Sequence, residues 1–236
     1  MHFMLTPLNK HFDLGFGAMG NSFKGAADAI FQSQAAAPYL NAHLPASFLY
    51  RHAIELFLKS SIVILHKKLK LPFGSGAHSS EPQVLIGGKW KPIFNVHSLI
   101  PLNSYTRDLF SQHEDSLKKL SDMDWSVQPE FTEWIKTIDA TDSTSTFFRY
   151  PVTKNHDRDR SNSVIKEDSY LNIMARMGPG HPPQKAFFVF NENDELAAAF
   201  HQDDTSSIQT IKTLREASNL LYGFHAAMRH ELTGGW

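Results

Sequence analysis

PASFLYRHAIELFLKSSIVILHKKL, residues 45–69, is the stretch whose reading decides the fold. Its apolar residues Tyr50, Ile54, Phe57 and Leu58, then Ile64 and Leu65, recur at helical spacing and leave a wide apolar face. Pro45 suits a first helical turn, where no backbone donor is needed. Arg51, Glu55 and Lys59 fall four apart, so they draw one narrow charged stripe along an otherwise apolar cylinder, with His52 beside it. Such a helix belongs at the centre of a bundle. Ladders of this spacing are common on helices, so the stripe reads first as a solvated face, worth only about a few tenths of a kcal/mol per ion pair. Its other reading is a face turned toward a partner subunit or a ligand cleft.

Upstream, Asn21 or Ser22 can cap a helix in which Phe23, Ala26, Ala27, Ile30 and Phe31 form an apolar stripe ending before Pro38. Downstream, a Gly/Ser tract gives way to two short strand-like runs around Gly87-Gly88, which is hairpin chemistry. Helical pattern resumes from His97 through Leu120 with a break. It returns from Pro129, where Phe131, Trp134, Ile135 and Ile138 share a face, and Asp142 and Ser143 then offer a cap. TKNHDRDRSNS, after Pro151, has no core pattern and reads as a solvated loop; Ser169 to Met177 is ambiguous. KAFFVF, NEND and ELAAAF read as a second hairpin, and Ser207 to Leu232 as a long terminal helix carrying Ile208, Ile211, Leu214, Ala217, Leu221, Phe224 and Met228. The expectation is a mainly α fold: one domain over residues 1–236, an antiparallel helical bundle with two small β-hairpin insertions at about 70–95 and 153–206.

Composition narrows the chemistry. The 236 residues hold no cysteine, which removes thiolate nucleophiles, Cys-ligated zinc and iron–sulfur clusters. With 23 Lys+Arg against 24 Asp+Glu, the net charge of -1 argues against a surface that is basic throughout and leaves room for a local basic cleft. The longest uncharged apolar run, Ser60 to Leu65, is far short of the roughly 20 residues of a membrane span. The start, MHFMLTPLNKHFD, lacks an apolar signal core. A cytoplasmic protein with no membrane association is expected.

Single motifs carry little. Gly15, Gly17 and Gly20 satisfy G-x-G-x-x-G, but LNKHFDL before them is mostly polar and no acid follows about 20 residues on. A flexible lead-in to the first helix is therefore expected instead of a dinucleotide site. His225 and His230 are five apart and no H-E-x-x-H occurs, so no metal and no cofactor is expected. Ser/His/Asp catalysis has no local support, since no nucleophile elbow is present.

The order of elements says more. A helix with an Ala-rich stripe is followed by one carrying Glu55-x-x-Leu58-Lys59. Then come His97-Ser98-Leu99 opening a third, Arg149-Tyr150-Pro151, and a long terminal helix. This series resembles the HEPN superfamily of helical domains, whose members often show E-x-x-L-K, H-x-L and an R-Y-P or R-x(4-6)-H element in that order. The resemblance covers about half the chain, roughly residues 21–69, 97–110, 147–151 and 207–231. It implies a dimerising helical bundle tied to RNA metabolism, toxin–antitoxin pairs or phage defence, often as a metal-independent ribonuclease in which an Arg and a His act on the RNA backbone across a dimer interface. A cognate antitoxin or a nucleotidyltransferase-type protein is the kind of partner implied. Other members are non-catalytic interaction modules. Arg149 with His156 stands first as the catalytic pair it implies, and Arg107 with His113 second; Arg176 with His181 spans a Gly-Pro-Gly turn. Pro151 is expected to leave His156 in a loop. Arg51, Glu55, Lys59, His97 and Tyr150 are motif or interface residues in this reading. A small-molecule-binding bundle whose β insertions lid a pocket is a further alternative.

Overall fold

The computed structural model describes residues 5–33, 41–74, 81–142, 148–150, 156–177, 180 and 184–235. The chain is mainly helical with two small antiparallel sheets, and it divides into two compact units. The first comprises residues 1–149 and 211–236, the second residues 150–210.

In the first unit, α1 (Phe16–Ser33) packs along α2 (His43–Lys68), and α3 (Leu99–Gln112) packs on another side of α2. Every residue of α2 from Ala53 to His66 is buried, so this helix is surrounded and needs no single apolar face. It ends where Lys70 turns left-handed at φ 54° and the Leu71 N–H reaches back to the His66 carbonyl. A hairpin of β1 (Gln83–Ile86) and β2 (Lys89–Pro92) follows, with Gly87 and Gly88 both at positive φ, the geometry its two-residue turn demands. The short helix α4 (Glu114–Lys118) follows the break at His113, and α5 (Pro129–Asp142) packs on α3. Asp142 is the last residue of α5; Ser143 and the segment that the expected cap would precede lie outside the described residues. The terminal α8 (Thr205–Thr233) contributes Leu214, Ala217, Leu221, Met228 and Leu232 to the core.

The first helix departs from expectation. It starts at Phe16 instead of after Asn21 or Ser22, because Asp13 supplies the cap: its Oδ1 accepts the Gly15 N–H at 3.0 Å and its Oδ2 the Gly17 N–H at 2.7 Å. The three glycines are accordingly not a flexible lead-in. Gly17 and Gly20 lie inside α1, where a Cβ would come 2.0 Å from His225 Nε2 and 3.0 Å from the Phe57 ring respectively. They are what allows α1 to approach α2 and α8 so closely.

The second unit holds α6 (His156–Asn162), α7 (Tyr170–Arg176) and a sheet ordered β3 (Ile165–Glu167), β5 (Leu196–Gln202), β4 (Ala186–Phe190), all antiparallel. The β4–β5 hairpin is the expected one. β3 adds a third strand that its short polar sequence does not announce, and residues 156–162 form a helix where a loop was expected, although His156 and Asp157 are solvent-exposed as the polar pattern implies. Among the described residues, no helix is long and apolar enough to cross a membrane.

Candidate functional site

The charged stripe on α2 is the centre of the first unit's polar chemistry, and it is not solvated. Arg51, Glu55 and Lys59 are 0%, 1% and 3% exposed, which overturns the reading of an outer ladder. The reason lies in partners remote in sequence. Glu55 Oε1 accepts from Lys59 Nζ at 2.8 Å and from His97 Nδ1 at 3.0 Å, while its Oε2 lies 3.4 Å from Arg51 Nη1. Arg51 Nε donates to the Asp142 carbonyl at 3.2 Å and lies 3.5 Å from the Asp142 carboxylate; its Nη2 donates to the His97 carbonyl at 2.9 Å. One guanidinium thus ties α2 to the end of α5 and to the segment that leads into α3. Burial opposes ionisation of Glu55, yet the Lys59 charge and the hydrogen bonds from Lys59 and His97 outweigh it and hold the carboxyl below its usual range.

His97 is the outlet of this network. Its side chain is 55% exposed although its Nδ1 rests on a carboxylate that is 1% exposed. An ionised carboxylate only accepts, so Nδ1 carries a proton and Nε2, without a partner among the described residues, is left at the surface to take or give one. A histidine oriented by a buried acid in this way is a general acid–base arrangement.

Arg149 reaches the same stretch of α2 by another route. Its guanidinium lies over the Phe48 ring at 5.9 Å, and Phe48 stacks on His52, with ring centroids 5.9 Å apart and planes 8° from parallel. Phe48, His52 and Glu55 follow one another at i, i+4 and i+7 on one side of α2, so the anchor points of Arg149 and His97 lie roughly 10 Å apart along the helix axis. Arg149 is exposed. Burial lowers the His52 pKa and keeps that ring neutral, a packing element between the two surface groups.

Tyr150 is exposed and opens the second unit, and His156 is the exposed first residue of α6 there; Arg149 closes the first unit. Arg107 is exposed on α3 and donates to Thr132 Oγ1 at 3.0 Å. His113 sits at the break between α3 and α4, six residues on, which turns it about 120° away around the helix axis. Arg176 is engaged by Asp168 at 2.5 Å, and His181 lies outside the described residues.

One cluster had no signal in local motifs. Ser60 Oγ donates to Asp13 Oδ2 at 2.5 Å, and His225 Nε2 lies 3.5 Å from the same oxygen, all three residues buried. The carboxylate is central, the hydroxyl bonds to it instead of to the imidazole, and no nucleophile–base pair results. The cluster joins the entry of α1 to α2 and α8. The signal for Asp13 was present in its position just before a glycine-bearing helix, and His52 stands beside the stripe in the sequence; Asp142 as a neighbour of the stripe had no signal. Among the described residues, no three His or acidic side chains gather to hold a metal ion. No family model matches the chain, and neither the curated proteins nor the solved structures contain a match.

Proposed function

We propose that this is a HEPN-like helical protein that cleaves RNA without a metal ion, and that the face formed by His97, Glu55 and Arg149 is where it does so. The observation that carries the reading is the surface imidazole of His97 held by the buried, ionised Glu55. The step needs few groups. The RNA 2′-oxygen attacks the adjacent phosphorus, the P–O5′ bond breaks, His97 Nε2 takes the 2′ proton, and water protonates the departing 5′ oxygen, giving a 2′,3′-cyclic phosphate and a 5′-hydroxyl end. Arg149 supplies positive charge for the phosphate oxygens, and Glu55 orients the imidazole. Arg51 and Lys59 act as structural counter-charges. A cytoplasmic homodimer working in toxin–antitoxin or antiviral defence, with an antitoxin or nucleotidyltransferase-type partner, follows from the resemblance in motif order alone.

The test is incubation of the purified protein with end-labelled RNA in EDTA, beside His97→Ala, Arg149→Ala, His156→Ala and Arg107→Ala variants. Cleavage to cyclic-phosphate ends that falls at least about 100-fold in His97→Ala, within the range that general acid–base catalysis contributes, and survives in Arg107→Ala supports this site. Cleavage lost in His156→Ala and retained in His97→Ala moves the chemistry to the second unit. A second reading, a non-catalytic interaction module of the same fold, is favoured by one observation: the stripe's charges are all satisfied by other groups of the protein. RNA binding that weakens with salt but is not followed by cleavage would select it.

A further inference from the structure

Away from that face, the first unit carries a cleft of about 470 Å³ between the C-terminal half of α3, α4 and the chain at residues 123–127. This is within the size range of small-molecule sites. Phe110, Leu117 and Trp125 line it; the Phe110 and Trp125 rings stack with centroids 6.2 Å apart, and Phe224 meets both edge-on, so the apolar wall is rigid. A second chamber of about 150 Å³ shares Asp124, Ser126 and Val127 with the cleft and is lined further in by Leu58, Phe131 and Leu221.

The polar groups of these two spaces are incompletely used. Trp125 Nε1 and Asn103 Oδ1, in side chains 6% and 4% exposed, have no hydrogen-bond partner among the described residues, and such buried atoms ordinarily have one. Arg107, on the cleft wall, gives one N–H to Thr132 and keeps its other donors unspent among the described residues. Asp108 faces the same cleft and has no partner there. At the α4 side, two carboxylates, Glu114 and Asp124, share one ammonium: Lys118 lies 2.6 Å from Glu114, and Asp124 is kept ionised by the Ser126 N–H at 2.8 Å and by the Lys118 charge. The cleft lining therefore offers spare donors at Arg107, acceptors at Asp108 and Asp124, and an apolar wall.

These features discriminate among ligand classes. A polyanion meets three carboxylates. A simple cation meets Arg107. A purely apolar molecule leaves the guanidinium and the carboxylates unused. A small zwitterion with an apolar body meets the guanidinium, the carboxylates and the apolar wall together. We propose that the cleft binds a free α-amino acid with an apolar side chain, its carboxylate on Arg107, its ammonium on the acidic side and its side chain against the Phe110–Trp125 wall.

The site is independent of the RNA-cleaving face, and its test does not involve RNA. Isothermal titration of the full chain with L-leucine, L-methionine, L-phenylalanine and L-tryptophan is expected to give saturable binding of at least one of them, with Kd of about 1 mM or tighter. The N-acetyl and methyl-ester derivatives of the bound amino acid, each lacking one charge, and the Arg107→Gln variant should each bind at least about tenfold more weakly, as expected for loss of a charge-assisted contact. Arg107 is exposed, so its variant keeps the fold, which circular dichroism checks. No binding of any of the four up to about 10 mM overturns the proposal, as does binding of the blocked derivatives as tightly as of the free amino acid.

Discussion

Replacing Glu55 by Gln decides whether the α2 stripe is the buried hub described above. The amide keeps the side-chain volume and can still accept a hydrogen bond, so what it removes is the negative charge. Arg51 retains the Asp142 carboxylate at 3.5 Å, but Lys59, 3% exposed, loses the only carboxylate to which it donates among the described residues. Breaking a buried ion pair by removing one partner costs about 3–5 kcal/mol. For a chain of this length, about 2–4 °C of Tm per kcal/mol translates the loss into a fall of roughly 6–20 °C, read by thermal unfolding followed by tryptophan fluorescence. The Glu55→Gln, Lys59→Met double variant removes both charges, keeps the lysine stem and should recover at least half of the loss, since a buried pair exchanged for apolar atoms is often neutral. A solvated ladder would lose only about a few tenths of a kcal/mol, below roughly 1 °C. A Tm shift that small, or a double variant no more stable than the single one, refutes the buried hub.

Two other predictions concern the cluster at the start of α1. Gly17→Ala places a Cβ 2.0 Å from His225 Nε2 and 2.7 Å from Asp13 Oδ2, both on buried side chains, and should cost about 1–3 kcal/mol of overpacking. Gly25→Ala on the same helix meets nothing within 4 Å and should stabilise by about 0.5–1 kcal/mol; urea titrations in which the two substitutions shift the midpoint in the same direction would contradict the packing. Asp13 gives a pH dependence. Burial raises its pKa, but hydrogen bonds from His225, Ser60 and the Gly17 N–H prevail and lower it from 3.8 to about 2. The folded state therefore binds the proton less readily than the unfolded one, and the stabilisation, about 2 kcal/mol, is complete above pH 3.8 and lost as pH falls toward 2. Asp13→Asn should lack this loss, and parallel acid-unfolding curves for the two proteins would show that Asp13 does not contribute it.

Much of the architecture is legible in short-range pattern. The 3.6-residue repeat places α2 within two residues of its observed start, Gly87-Gly88 marks one hairpin, NEND the other, and the terminal helix follows its apolar register. What is not legible depends on contacts distant in sequence. Arg51, Glu55 and Lys59 have the same spacing on a solvated helix as on a buried one; the difference is His97, 42 residues from Glu55, and Asp142, 91 residues from Arg51. The G-x-G-x-x-G spacing was misleading for a related reason. Glycine demanded by close packing, as at Gly17 against His225, leaves the same letters as glycine demanded by a loop.

The burial of the stripe also explains how a residue outside any helix is held. His97 precedes α3, where backbone is ordinarily free to shift. Arg51 binds its carbonyl oxygen and Glu55 binds its ring nitrogen, so two residues one turn apart on α2 fix both the main chain and the imidazole. Those two are in turn fixed by Lys59 and Asp142, in a helix with no exposed side from Ala53 to His66. Two charges worth little as a surface ladder thus become a rigid mount for the imidazole once enclosed, and under the proposed function the precision of proton transfer would depend on it. The geometry separates the two roles within the stripe: Glu55 acts directly on the imidazole through its hydrogen bond, whereas Arg51 acts only through where it holds the His97 carbonyl.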